Sequence, residues 1–367
     1  MKTGKTLSEL AAEIERQHIT KKDYVADLSV VNMVARDGEP RLAVNGIDVD
    51  SFGVTDIAHN QIAEHAKIDR RYYDRMRREA PELLATNVDH WFRKFPAPQM
   101  LRTLDGNVRA MLSPSYQPLD NYDFAGATLP ILAGRKLQVM SCEITERRLY
   151  IKAVDEKLFR DVPVGHKMGD GSHKLFDTCA PAVILSNSEV GFGRLVVETG
   201  VYTRACTNMC LFSKGGMKRT HVGAKHRLTD GMDVQDLDAI MSDQTKRKTM
   251  EALWLQVRDV LNAAFDEKVI GKRLEAIAAT AENKITGNVT KVMEVVAKTF
   301  DFTDTERDSV FKHLIEGGSL TQYGMHSAIT RAAQDLDSYD RATDFEYTGG
   351  KVLELPRTDC ARMAEAA

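Results

Sequence analysis

Residues 182–206 read AVILSNSEVGFGRLVVETGVYTRAC, and this stretch does most to set the expected fold. Two apolar runs flank a turn that contains Gly191 and Gly193, which predicts two strands joined by a short connection. Residues 137–154 alternate in the manner of paired strands and predict a second pair. A sheet is therefore expected near the centre of the chain.

Helical and strand-like patterns both precede this sheet. Residues 55–84 place apolar side chains at three- and four-residue steps, and Pro81 suits the first turn of a further helix. Residues 97–119 look like strands and turns, with Asp105-Gly106-Asn107 as a hairpin turn. Mixed elements of this kind indicate the α+β class.

The pattern becomes helical after the sheet. Strong helical signals cover residues 234–300, 304–315 and about 325–337, while residues 345–356 look like a short strand. We therefore expect an α+β fold with a mixed strand and helix body over residues 1–230. A helical C-terminal region, residues 231–367, follows and ends with a short closing strand.

The composition is that of a soluble globular protein. The chain has 367 residues, of which 43% are hydrophobic and 28% charged, and its formal net charge is −3. No apolar run approaches the roughly 20 residues that a membrane helix needs, and the first residues lack the apolar segment of a secretory signal. Five cysteines, an odd and sparse set, favour a reducing compartment. We expect a cytoplasmic protein without a membrane partner.

Positive charge is concentrated in residues 204–227 of this slightly acidic chain. The run has no acidic residue, and five aspartates follow it before the next base. Such a segment attracts polyanions, above all phosphate backbones. Its bases are predicted to contact nucleic acid: Arg204, Lys214, Lys218, Arg219, Lys225 and Arg227.

A second basic segment, residues 67–84, interleaves arginines with two tyrosines. Arg70 and Arg71 could bind phosphates while Tyr72 and Tyr73 stack on bases. The same segment resembles a helix-turn-helix in which residues 70–72 begin the recognition helix, although Lys67 stands where the turn usually has glycine. A helical hairpin with a solvated arginine face is the plain alternative.

Four residues have a spacing close to that of a zinc finger: Cys206, Cys210, His221 and His226. The cysteines could equally pack as small hydrophobic residues, with the histidines adding to the basic run. We expect neither a metal nor a cofactor.

Catalytic signals are weak. His166, Asp170 and His173 lie in a polar loop, and Ser186, Ser188 and Glu189 lie at a strand end, but none has a diagnostic spacing. Trp91, Phe92 and Phe95 surround Arg93 and Lys94, which suits either a stacking platform or a core plug.

Several motifs resemble one family, the phage/plasmid-like proteins, whose domain of unknown function occurs in phages and mobile elements. The motifs are LSPSYQPLDN (112–121), LSNSEVGFGRL (185–195), RACTNMC (204–210), YGMHSAITRAAQD (323–335) and YTGG (347–350). In the penultimate block the family usually has Asn-Ala-Val-Thr, whereas residues 327–330 are Ser-Ala-Ile-Thr. The resemblance covers residues 50–355 and implies a setting of DNA replication, recombination or host-defence interplay.

Together these observations predict a DNA-binding protein that serves recombination or replication of a mobile element. Single-stranded DNA is the expected ligand, and the helical region could supply contacts between copies of the chain. One alternative is a duplex-binding regulator that uses the helix-turn-helix-like segment. Another is a metal-dependent enzyme acting on nucleic acid.

Overall fold

The computed structural model describes residues 1–167, 173–204, 207–212, 216–221 and 242–359. Helices and strands are mixed as far as residue 219, and the elements from residue 243 onward are helices. This arrangement confirms the expected α+β class and its helical C-terminal part. In these ranges the structure contains no helix of the length and apolar character that crossing a membrane requires.

The first part of the chain builds a four-stranded sheet in the order β1-β5-β6-β4 and a separate hairpin, β2–β3. Its elements are α1 (Leu7–Thr20), β1 (Lys22–Asp27), β2 (Val31–Arg36), β3 (Glu39–Val44), β4 (Gly53–Val54), α2 (Asp56–His65), α3 (Arg70–Glu79), α4 (Pro81–Lys94), β5 (Pro98–Leu104) and β6 (Asn107–Leu112). Helices α2, α3 and α4 and these strands share one core, which includes Leu42, Ile62, Tyr73, Val88 and Phe92.

Both hairpins in this part turn on an Asp-Gly pair. Asp105 and Gly106 have φ angles of 51° and 75°, and Asp37 and Gly38 have 53° and 79°. A two-residue turn of this kind needs positive φ at both positions, which Asp and Gly tolerate best. The hairpin predicted at Asn107 is therefore confirmed, and so is Pro81 in the first turn of α4.

The second sheet has the order β12-β11-β10-β8-β7, with β9 paired to β10 and β13 paired to β11. Its elements are α5 (Asn121–Arg135), β7 (Gln138–Ile144), β8 (Leu149–Val154), β9 (Arg160–Lys167), β10 (His173–Asn187), β11 (Leu195–Thr203), β12 (Asn208–Leu211) and β13 (Met217–Arg219). Strands β10 and β11 are the antiparallel pair predicted from residues 182–206. Every residue of β11 is buried, because helices cover this part of the sheet.

Six helices complete the described chain: α6 (Asp243–Ala263), α7 (Glu267–Ala281), α8 (Val289–Thr299), α9 (Asp304–Gly317), α10 (Gln322–Ala332) and α11 (Tyr339–Glu354). Helix α6 packs on α5 and β11, and its Leu253, Val257 and Leu261 join the core of the second sheet. Helix α11 lies against β12 and α10. The boundary predicted near residue 230 falls in residues 222–241, outside the described ranges.

The closing strand predicted at residues 345–356 is wrong, because residues as far as Glu354 belong to α11. Its glycines serve close packing and do not form a turn. A Cβ atom on Gly350 would lie 1.9 Å from the carbonyl oxygen of Leu211, and one on Gly349 would lie 2.4 Å from a methyl group of Thr330. The helix therefore approaches its neighbours more closely than a larger residue allows.

Candidate nucleic-acid interface

Helix α3 has one buried face and one strongly basic exposed face. Asp69 caps its N-terminus by accepting hydrogen bonds from the backbone N–H groups of Arg71 and Tyr72. Tyr73 and Met76 point into the core, with 0% and 2% of their surface exposed. Five residues of the helix are exposed, the acidic Glu79 and four others: Arg71, Tyr72, Arg75 and Arg78. We call these four residues the α3 face.

Ion pairs engage part of the positive charge on α3. Arg75 pairs with Glu79 at 2.9 Å, and both side chains are more than half exposed. Exposed pairs of this kind contribute only about 0–1 kcal/mol, so a phosphate can compete for the guanidinium. Arg71 and Arg78 form no ion pair with any residue that the structure describes. The α3 face therefore keeps cations available for an anionic ligand.

Two other arginines of α3 are more constrained. Arg70 pairs with Asp74 at 2.8 Å and lies 5.6 Å from the centroid of the Tyr73 ring. Arg77 pairs with Asp56 of α2. The Arg77 pair joins α3 to α2, whereas both contacts of Arg70 lie within α3. Arg70 is therefore a less available phosphate ligand than the sequence pattern indicates.

The two neighbouring tyrosines of α3 differ in exposure. Tyr72 is 48% exposed, whereas Tyr73 is fully buried and its hydroxyl lies 2.8 Å from Nδ1 of His59. Burial raises the pKa of Tyr73 and lowers the pKa of His59 to about 3, so both groups are neutral at pH 7. The stacking role predicted for Tyr73 is therefore wrong, because no base can reach its ring in this fold. Tyr72 alone remains available.

Helices α2 and α3 are joined by a short turn over residues 66–69, as the helix-turn-helix hypothesis expects. Lys67, in the turn between them, has a φ of 54°, the left-handed conformation for which that turn usually has glycine. The turn thus forms despite its lysine, and the N–H of Ile68 donates to the carbonyl of Ala63 at 2.9 Å. The exposed start of α3, at Arg71 and Tyr72, corresponds to the base-contacting end of a recognition helix.

Two described bases of the run 204–227, Arg204 and Lys218, lie far apart along β11. Arg204 follows the end of β11, while Lys218 pairs with Val196 near its beginning, eight residues away. At the usual rise of a strand this separation is roughly 26 Å. Contact of these bases with nucleic acid stays a prediction, and one short segment of ligand could not reach both of them. Lys214, Lys225 and Arg227 lie outside the described residues.

Lys218 has a structural contact of its own. Its Nζ lies 2.6 Å from Oε1 of Glu198, a carboxylate that is only 1% exposed and also accepts a hydrogen bond from the Tyr347 hydroxyl. Arg219 is half-buried, and its Nε has no hydrogen-bond partner among the described residues. Arg204 is exposed and lies over the Phe159 ring. The ion pair with the buried Glu198 carboxylate therefore accounts for a lysine at this position, and no contact with a nucleic acid is needed to explain it.

Only half of the zinc-finger-like set can be placed. Cys210 is buried in β12 among apolar side chains, and burial raises the pKa of its thiol well above the usual range. His221 is also buried and stacks on Tyr116, with ring centroids 5.0 Å apart. Cys206 and His226 lie outside the described residues, as does Asp170. Among the residues that the structure describes, no three potential metal ligands form a cluster.

The aromatic residues around Lys94 divide between core and surface. Phe92 is fully buried, while Phe95 is 59% exposed and stacks on Trp91 with ring centroids 6.0 Å apart. Lys94 lies over both rings of that stack. The structure therefore combines the two alternatives that the sequence left open, because Phe92 packs in the core while Trp91 and Phe95 form a partly exposed stack.

A buried polar network joins the two sheets, and sequence reasoning did not predict it. Arg102 is 0% exposed, and its guanidinium donates to both Asp23 oxygens at 3.0 Å and to Asp120 at 2.7 Å. It also donates to the backbone carbonyl of Glu189 at 2.9 Å. Burial alone would raise the pKa of Asp120, but Arg102 and Lys21 outweigh burial and hold it below its usual range.

Two of the five motifs behind the family resemblance, residues 112–121 and 185–195, meet in this network. Oε1 of Glu189 accepts a hydrogen bond from the N–H of Asn121 at 2.6 Å, and Oε2 lies 2.7 Å from Arg109. The Asn187 amide donates to Oδ1 of Asn121 at 2.9 Å. Glu189 is thus occupied by structural partners, and these motifs describe how the two sheets are joined. The motifs themselves were the signal that could have located the network.

Comparison of the chain with protein-family models, with curated proteins and with solved structures finds no match.

Proposed function

We propose that this chain is a DNA-binding protein that contacts the phosphate backbone through the α3 face. The observation that carries the proposal is the division of α3, whose apolar side is anchored in a core while three arginines and a tyrosine face solvent. Arginine guanidinium groups bind phosphate oxygens through paired hydrogen bonds, and their charge makes such binding salt-dependent.

Single-stranded DNA is the ligand that we propose first. Tyr72 lies among Arg71, Arg75 and Arg78, so a base could stack on its ring while neighbouring phosphates contact the arginines. The stacked pair of Trp91 and Phe95, with Lys94 above it, offers further aromatic surface on the next helix. The resemblance to phage/plasmid-like proteins supports a role in recombination or replication of a mobile element.

A duplex-binding regulator is the second candidate. The left-handed Lys67 supports it, because the turn between α2 and α3 closes in the way that a helix-turn-helix needs. The burial of Tyr73 supports it as well, since it reduces the stacking surface on α3 to one ring. Such a regulator should prefer one duplex sequence over bulk DNA by orders of magnitude.

Fluorescence anisotropy at several salt concentrations tests the proposal. The ligands are an oligothymidylate of about 20 nucleotides and duplexes and RNA of equal length. Replacing Arg71 and Arg75 by Ala removes two phosphate contacts, so the log–log salt slope for single strands should fall by about 1.4. Arg258→Ala with Lys312→Ala is the matched control, because both side chains are exposed on the C-terminal helices.

The outcomes are distinct. An unchanged slope in the Arg71 and Arg75 variant, with binding intact, would show that the α3 face does not touch the backbone. If one duplex sequence competes far better than any single strand, the regulator is the correct function.

Association between copies of the chain through the C-terminal helices stays a prediction. Leu255, Val269 and Ile315 are exposed apolar side chains on these helices that could contact another copy.

A further inference from the structure

A cleft of about 500 Å³ lies beside α3, where the C-terminal half of this helix faces the β2–β3 hairpin and the ends of β4 and β6. Its volume falls in the range that protein sites use for small organic ligands, about 300–1,000 Å³. Residues from five separate elements line it, so the cleft exists only in the folded chain. The α3 face described above has one member here, Arg78.

Positive charge dominates the lining. Arg41 of β3 contributes one guanidinium, and Arg77 and Arg78 of α3 contribute two more. The lining carboxylates are Glu39 and Asp74, and Asp74 is compensated by Arg70. Arg78 has no ion-pair partner among the described residues, and Arg41 is held by Ser51 through its Nε at 2.9 Å. A planar guanidinium that is held in place by a neighbouring hydroxyl is well suited to bind a phosphate group through hydrogen bonds.

The floor of the cleft supplies neutral hydrogen-bonding groups. His59 is 1% exposed, and its Nδ1 is engaged by the Tyr73 hydroxyl, which leaves Nε2 without a partner among the described residues. Asn107 projects its side-chain oxygen over Gly53, where a Cβ atom would lie only 2.1 Å from it. Gly53 therefore leaves room for this oxygen beside the cleft, while the Asn107 amide N–H donates to the backbone carbonyl of Asp105 at 3.1 Å.

We propose that this cleft binds a nucleoside 5′-phosphate, with Arg41 and Arg78 on the phosphate and His59 and Asn107 on polar atoms of the nucleoside. Two sources carry this chemistry, a free nucleotide and the 5′-phosphorylated end of a DNA strand. The second source rests on the DNA binding proposed above. In that case Arg78 joins the two surfaces, so that a strand held on the α3 face ends in the cleft.

Calorimetry with the full chain tests the site directly. Thymidine 5′-monophosphate should bind, while thymidine and inorganic phosphate should each bind at least about 10-fold more weakly, because each lacks half of the contacts. Arg41→Gln should weaken nucleotide binding by about 10-fold, the loss of one hydrogen bond to a charged group, and Asn107→Ala should weaken it by about 3- to 10-fold, the loss of one neutral hydrogen bond. Arg71→Ala with Arg75→Ala should leave it unchanged, since neither residue lines the cleft.

Oligothymidylates with a 5′-phosphate or a 5′-hydroxyl then identify the source. Tighter binding of the phosphorylated strand, with the preference reduced by Arg41→Gln, assigns the cleft to DNA ends, and equal binding assigns it to free nucleotides. Absence of nucleotide binding by folded wild type, or nucleotide binding that neither Arg41→Gln nor Asn107→Ala weakens, overturns the proposal. Binding of the 5′-hydroxyl strand reports on the α3 face alone, so failure of the cleft and failure of the proposed function are separable.

Discussion

Tyr72 and Tyr73 are adjacent in the sequence, but the fold predicts opposite consequences for their replacement. Tyr73 is fully buried in the first core and bonded to His59, whereas Tyr72 is 48% exposed on the α3 face. Tyr73 should therefore control the free energy of unfolding, and Tyr72 should control the affinity for single-stranded DNA. The two variants separate packing from binding on one turn of helix.

The stability cost at Tyr73 follows from burial. Truncating a fully buried aromatic ring to Ala costs about 3–5 kcal/mol, which is a large fraction of the 5–15 kcal/mol that keeps a typical protein folded. Tyr73→Phe keeps the ring and removes only the hydroxyl, which lies 2.8 Å from His59. It should cost about 1–3 kcal/mol, because Nδ1 of the buried His59 loses its partner, and it should leave DNA affinity unchanged.

The affinity cost at Tyr72 follows from its exposure. Tyr72→Ala should change the free energy of unfolding by less than about 0.5 kcal/mol, because the ring packs little of the core. If a base stacks on this ring, single-strand affinity should fall by about 1–3 kcal/mol. Duplex affinity should fall less, since paired bases are not free to stack on the side chain.

Urea unfolding followed by circular dichroism measures the first quantity, and anisotropy with labelled oligothymidylate measures the second. A Tyr72→Ala variant that is folded and binds single strands normally would refute the stacking argument. A Tyr73→Ala variant that is as stable as the wild type would refute the placement of this ring in the core.

Two further predictions concern the fold. Gly350→Ala should lower the free energy of unfolding by about 1–3 kcal/mol in the urea experiment, because its Cβ atom would lie 1.9 Å from the Leu211 carbonyl oxygen. Gly271→Ala on α7 should raise the free energy of unfolding by about 0.4–1 kcal/mol, because the space around Gly271 is open. Burial lowers the pKa of His59 to about 3 and those of His221 and His326 to about 4, so the unfolded chain binds more protons below pH 6.5 and stability should fall as the pH drops from 6.5 to 4. The slope of the free energy of unfolding against pH should be at most about 1.4 kcal/mol per pH unit for each histidine. His326→Gln should make this slope shallower, and identical slopes in the variant and the wild type would show that His326 does not contribute.

Local patterns predicted those elements whose signals lie within a few residues. The Asp-Gly turn at residues 105 and 106, the N-terminal proline of α4 and the apolar strands β10 and β11 each follow from short-range backbone and side-chain preferences. The same reasoning failed at residues 345–356. There, Gly349 and Gly350 are explained by the close approach of α11 to Thr330 and Leu211, which lie 19 and 139 residues away in the chain.

The candidate site shows the same division. Sequence alone placed arginines and tyrosines on one helix, because their spacing is a local property. Which tyrosine faces solvent depended on where the first core lies, and only the tertiary structure decided it. Residues 204–227 form one basic run in the sequence, but in the fold Arg204 follows the end of β11 while Lys218 pairs with Val196 near its beginning.

The sequence by itself determined the α+β class, the position of the central strand pair and the two segments in which positive charge is concentrated. The tertiary structure decided which of those charges are available, since Lys218 compensates buried Glu198 whereas Arg71 faces solvent. It also assembled the Arg102 network and the cleft beside α3 from residues far apart in the chain. The physical reason is that backbone preference acts over a few residues, while burial and charge pairing are fixed only when distant segments pack together.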